Sequence, residues 1–203
     1  MVPLLARMAR SGRVFVDSLN VVEKDVEVKK IVGVVPESHG YYYWMNPVEY
    51  LTYFGALFDI NKEEIAKRID YLLKEVGLAN KKKVPIGQFS RGMKQRLGIA
   101  KALINNPKVI FLDEPTLGLD PMGQRDMQNL ILEINKSEKI TVFITSHLLK
   151  DIETLCNKVC IVQNGKLVEQ GSIDELKERH SAADMEEVFF KVTGHGTEGA
   201  NAV

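Results

Sequence analysis

The sequence predicts an α/β fold: a mostly parallel sheet whose strands are separated by an inserted α-helical subdomain. Three observations lead there. Lys108 to Asp113 and Thr141 to Thr145 are short apolar runs of the kind buried on both faces of a parallel sheet. Residues 121–136 between them have the length of a crossover helix, which makes a βαβ unit. A third apolar run, Ile31 to Val35, lies far upstream, and residues 39–105 in between carry helical periodicity. That block is therefore read as an insertion between strands of one lobe.

Taken in order, Val14-Phe15-Val16 after Ser11-Gly12 reads as a short strand, and Pro36 stops the strand Ile31–Val35. Residues 37–46 read as a loop. Pro47 opens a helix carrying Tyr50, Leu51, Phe54, Leu57 and Phe58 at helical spacing. A second helix spans 62–76, with Ile65, Ile69, Leu72, Leu73 and Val76 on one face and Gly77 as its C-terminal cap. Lys81-Lys82-Lys83 is too short a charge run for a binding patch and reads as a solvated loop. From Ser90 a third helix runs to about Asn105. After the βαβ unit, residues 158–171 read as a hairpin around Asn164-Gly165, 172–192 as helical, and Gly194 to Val203 as a disordered tail.

A chain of 203 residues with 45% hydrophobic composition can bury a substantial core. Lys+Arg and Asp+Glu stand at 27 each, and no basic stripe appears, which argues against nucleic acid as a partner. Cys156 and Cys160 lie apart from the four histidines in sequence and read as reduced, partly buried thiols. The N-terminal apolar run is too short and interrupted for a signal peptide, and no stretch approaches the roughly 18 apolar residues of a membrane span. Any work at a membrane is expected from the cytoplasmic side, through a partner.

The strongest chemical feature is Val109-Ile110-Phe111-Leu112-Asp113-Glu114-Pro115-Thr116. Four apolar residues bury a strand, and two carboxylates emerge at its C-terminal end, where open α/β sheets place their ligands. An acid there suits a Mg²⁺ ligand, and its neighbour can orient or deprotonate a water; two solvated acids at a strand end are the plain alternative. The company of this strand decides between them. Upstream stands Gln88-Phe89-Ser90-Arg91-Gly92-Met93-Lys94-Gln95-Arg96, and downstream come Leu117-Gly118-Leu119-Asp120-Pro121 and Thr145-Ser146-His147.

With these four motifs in order, the sequence resembles the ATP-binding subunits of ABC transporters over most of its length. The resemblance implies a partial P-loop NTPase, RecA-like, with the α/β lobe at 1–38 and 106–180, the helical subdomain at 39–105, and a C-terminal helix and tail at 181–203. It implies that Phe89 to Met93 stand in the signature motif, so that Ser90, Arg91, Gly92 and Met93 serve a nucleotide held by an opposing subunit, head to tail. A helix N-terminus with Ser and Gly offers N–H groups and a hydroxyl to a phosphate. Asp113 would hold Mg²⁺, Glu114 would polarise the attacking water and His147 would contact the γ-phosphate of ATP. Asp120 belongs to the D-loop, and could equally cap the helix that Pro121 opens. The partners implied are a second ATPase subunit and an integral membrane permease, with the protein peripheral on the inner face of the membrane.

Two motifs depart from the commoner pattern. Glu37 stands where the Q-loop usually has glutamine, and is read as that loop's nucleotide- and metal-contacting residue. Arg91 and Met93 replace Gly and Gln in the signature. Both changes resemble exporter-type subunits related to sodium and drug efflux systems. Tyr41-Tyr42-Tyr43-Trp44 follows the Q-loop, in a region that faces the membrane subunit in the family; packing between lobes is an equal reading of these aromatics.

One motif is missing. No G-x-x-x-x-G-K-[S/T] segment occurs in the 203 residues; the only Gly-Lys pair, Gly165-Lys166, lies in the hairpin and is followed by Leu167. Aligned by its other motifs, the chain is expected to begin just after that loop, with Leu4 to Arg10 a remnant of the helix it opens and Ser11 to Asp17 the next strand. Without the loop and its central strand, the chain alone is expected to be poorly stable and to hydrolyse ATP negligibly. A truncated exporter ATPase, a non-hydrolytic partner lending its signature motif, and a soluble ABC protein outside transport are the three readings; intact Asp113, Glu114 and His147 favour the first.

Overall fold

The computed structural model describes residues 13–38 and 40–194, so the expected helix remnant Leu4–Arg10 and most of the expected tail lie outside the described residues. The chain packs as two compact units, Met1–Thr145 and Ser146–Val203. Among the described residues no helix is long and apolar enough to cross a membrane.

In the first unit, β1 (Phe15–Val16) and β2 (Leu19–Asn20) form a short antiparallel hairpin. The strand expected over Ser11–Asp17 is thus cut short within the described residues, because Asp17 and Ser18 turn the chain back at φ +48° and +64°. Helix α1 (Asp25–Ile31) follows, an element the sequence reading left unassigned. Val16, Val21, Val28 and Val32 pack together beneath it. β3 (Val32–Val35), β4 (Val109–Asp113) and β5 (Thr141–Thr145) form one parallel sheet in the order β3-β4-β5. Val35 aligns with Leu112 and Asp113 with Thr145, so the C-terminal ends of the three strands share one edge. β5 pairs on one side only among the described residues, and Phe143 at its centre is 51% exposed.

The block between β3 and β4 is helical, as its periodicity predicts. Helix α2 (Pro47–Ala56) starts from a capping box: Asn46 accepts from the Glu49 N–H while Glu49 accepts from the Asn46 N–H. Helix α3 (Lys62–Glu75) buries Ile65, Ile69, Leu72 and Leu73. Its C-terminus closes in a Schellman motif, with Leu78 N–H donating to Leu73 at 2.7 Å and Gly77 in the left-handed region. Helix α4 (Arg91–Ala102) buries Leu97, Ile99 and Ala100. Arg68 of α3 fastens this block to α5 (Pro121–Glu138): its guanidinium grips both oxygens of Glu138 and donates to the Leu103 carbonyl at 2.9 Å. Lys82 of the charge run bonds Asp70 at 2.7 Å, at the surface.

The second unit contains α6 (Leu149–Leu155), also unassigned by the sequence reading, and the hairpin β6 (Lys158–Gln163) and β7 (Lys166–Ser172). The turn is Asn164-Gly165 as expected, both with positive φ. The single helical stretch expected over 172–192 is two helices, α7 (Ile173–Arg179) and α8 (Met185–Thr193). His180 ends the first, Ser181 turns at φ +48°, and Asp184 caps the second by accepting from the Glu187 N–H. Ile161, Leu176, Met185 and Val188 form this unit's core. Cys156 is half-buried, which raises its thiol pKa, and Cys160 is exposed; no disulfide joins them.

Candidate nucleotide site

Every strand of the parallel sheet points its C-terminal end at the same edge, and the candidate residues of the first unit gather there or beside it. Asp113 is the last residue of β4, exposed, and its Oδ1 accepts a short hydrogen bond from the Thr145 hydroxyl at the end of β5. Glu114 follows with φ +49°, a region few non-glycine residues occupy, and its N–H donates to the Thr145 carbonyl at 3.0 Å. Glu37 is exposed in the loop two residues beyond β3.

The N-terminus of α4 is the second part of the site. Ser90 is its N-cap and accepts from the Met93 N–H at 3.3 Å, which leaves the hydroxyl proton to donate elsewhere. This end packs against the segment after β4. A Cβ built on Gly118 would lie 2.6 Å from Arg91 Cζ, so the guanidinium rests on the glycine, and one on Gly92 would meet Leu119 at 3.6 Å. Arg91 therefore lies on the Leu117–Asp120 segment of its own chain. Asp120 caps α5, its Oδ1 accepting from the Gly123 N–H at 2.7 Å, and Pro121 fills the first helical position.

Two participants were invisible in the sequence. The buried Gln95 side chain of α4 donates to the Pro115 carbonyl at 2.9 Å and to the Glu114 carbonyl at 3.4 Å. Thr145 braces Asp113. The only available signal for Gln95 was a polar residue on a helix face shared with the buried Ile99 and Ala102. His147 is exposed and belongs to the second unit.

The loop before α2 is tied to the same helix. Tyr41 is buried and its hydroxyl donates to the Lys94 carbonyl at 2.5 Å, while Gly87 N–H donates to the Tyr43 carbonyl at 2.9 Å. Burial pushes the Tyr41 phenol far above its ordinary range. Within the aromatic run, Tyr41 packs inside the block 39–105, whereas Trp44 is 74% exposed, its ring tilted by 52° against Tyr42 at 5.4 Å.

A Gly118→Ala substitution, made with and without Arg91, separates backbone strain from the Arg91 contact. At φ +70° an alanine is disfavoured by about 1–2 kcal/mol, whereas the guanidinium can swing aside. Urea unfolding is expected to show a loss of about 1–2 kcal/mol that largely persists in the Arg91→Gly background.

Three carboxylates, a threonine hydroxyl and a capped helix N-terminus lie at or beside the C-terminal edge of a parallel α/β sheet, where such sheets place their ligands. The ABC transporter family model matches residues 3–117. The chain belongs to that family. It is 40% identical over 170 residues to the bacitracin transport ATP-binding protein BcrA of Bacillus licheniformis, covering 84% of this chain and 55% of that protein. It is 34% identical over 180 residues to the ABC transporter ATP-binding protein NatA of Bacillus subtilis, covering 88% and 73%. A solved ATP-binding subunit of an ABC transporter superposes with a TM-score of 0.77 at 23% identity, covering 91% of this chain and 77% of that one. The chain spans about half the length of the curated relatives it matches, 55% for the bacitracin protein.

The site suits Mg²⁺ and a nucleotide in one respect that the geometry tests. Among the described residues no three His, Cys, Asp or Glu side chains gather to hold a metal. Mg²⁺ commonly binds through one or two carboxylates, its waters and the phosphates of a nucleotide. The exposed Asp113 carboxylate, with one oxygen held by Thr145, fits that role.

Proposed function

We propose that this chain is part of the ATP-hydrolysing subunit of an ABC exporter, which drives transport through a membrane partner. The observation that carries the reading is the paired acids at the end of β4, with Asp113 oriented by Thr145 and Glu114 held next to it. Asp113 holds Mg²⁺ with its waters, and Glu114 takes the proton of the attacking water. Mg²⁺ supplies charge neutralisation at the phosphates when bound. Glu37 and His147 complete the contacts to that nucleotide, the former also near the metal. Ser90, Arg91, Gly92, Met93 and Asp120 face a nucleotide held by a second, head-to-tail subunit.

The lobe at 1–38 and 106–180 holds the catalytic edge, the block 39–105 carries the signature helix, and 181–203 is an appendage. The exposed Tyr43 and Trp44 form the surface for an integral membrane permease, and the protein lies on the cytoplasmic face of the membrane. Export is supported by Glu37 and Arg91 and by the transport named for the bacitracin protein. Residues 1–203 contain no G-x-x-x-x-G-K-[S/T] segment, so the phosphate cradle for this function lies outside them. ATP turnover by the full-length protein with its permease tests the reading. Mg²⁺-dependent phosphate release is expected; its absence overturns the proposal.

A further inference from the structure

The turn that carries Glu114 is held in an unfavourable shape. Glu114 has φ +49° and precedes Pro115, and a following proline narrows the backbone choices of the residue before it. Pro115 and Thr116 are buried, so the carbonyls of this turn need donors from the protein. The Glu114 carbonyl accepts from the Leu117 N–H at 3.2 Å, and its N–H is taken by Thr145. Gln95, 6% exposed, adds two more, its amide nitrogen donating to the Pro115 carbonyl at 2.9 Å and to the Glu114 carbonyl at 3.4 Å. Gln95 sits five residues after the cap Ser90, on the same helix.

We propose that Gln95 is a positioning residue: it clamps the turn so that the Glu114 carboxylate is aimed at its water, and it links the signature helix to that carboxylate within one subunit. The proposal rests on the assignment of Glu114 as the group that takes the water's proton. Strain of this kind persists where surrounding bonds over-determine it, and a carboxylate displaced by about 1 Å can lose on the order of 100-fold in rate. The Gln95 amide is buried and spent on two backbone carbonyls, so its loss is expected to act on turnover and not on nucleotide affinity.

The experiment compares Gln95→Met and Gln95→Glu with the wild type in the full-length protein assembled with its permease. Turnover per folded molecule is expected to fall about 10- to 100-fold in Gln95→Met, with the KM for ATP within about 3-fold. In Gln95→Glu, facing two carbonyls, the loss is expected to shrink relative to wild type as pH is lowered from 8 to 6, because a protonated carboxyl donates one of the missing bonds. Hydrogen exchange at the Leu117 amide is expected to quicken about 10-fold in Gln95→Met. Wild-type turnover in folded Gln95→Met, or unchanged exchange at Leu117, overturns the clamp. A wild-type protein that hydrolyses no ATP overturns the proposed function instead, and the exchange measurement then still decides whether Gln95 holds the turn.

Discussion

Replacing Glu114 with glutamine in the full-length protein is expected to lower ATP turnover by about 10²–10⁴-fold while nucleotide affinity changes by no more than a few-fold. The substitution keeps the size of the side chain and can keep the backbone bonds of the turn, since Glu114 N–H to Thr145 and the carbonyl's bond to Leu117 are main-chain contacts. What disappears is the negative charge that accepts a proton. Parallel measurement of phosphate release and of equilibrium nucleotide binding separates the two effects. Equal loss of both would mean that Glu114 binds nucleotide and leaves the chemistry to another group.

The largest effect on stability is expected at Gly33. This residue lies in β3 opposite Ile110, and a Cβ there would sit 2.1 Å from the Ala102 carbonyl oxygen of α4 and 2.9 Å from its carbon. Glycine to alanine ordinarily stabilises by about 0.4–1 kcal/mol where the backbone conformation is allowed. Here the obstacle is a helix backbone, which cannot rotate away as a side chain can. Overpacking costs about 1–3 kcal/mol even against more yielding neighbours, so a loss of about 3 kcal/mol is expected for Gly33→Ala. Gly40→Ala is the control: a Cβ there meets nothing within 4 Å, and thermal unfolding is expected to show no loss.

The parts of the fold that depend on local chemistry were legible in the sequence. Four apolar residues and an acid made β4, Asp120-Pro121 made the start of α5, and Asn164-Gly165 made the hairpin. Helix α1 escaped because Val26 and Val28 alternate with polar residues as in a strand, and only Val28 is fully buried. The break between α7 and α8 escaped because Ser181 adopts a left-handed conformation that its type does not announce. In the candidate site, the identity of Asp113 and Glu114 could be read from their place at a strand end. Their geometry could not. The backbone of Glu114 is bonded to Thr145 and Gln95, residues 31 positions downstream and 19 upstream, and no local pattern encodes such contacts. Likewise the sequence offered Arg91 only as a signature residue, whereas its guanidinium lies over Gly118.

β5 has a practical consequence. Among the described residues no strand pairs with its outer side, and the strand itself, with Thr141, Phe143 and Thr145 exposed, carries no charged side chain. Bare, uncharged edges of this kind are templates on which other chains add strands. A preparation of residues 1–203 therefore carries its aggregation hazard in five residues, and its losses should rise with protein concentration well below any unfolding temperature.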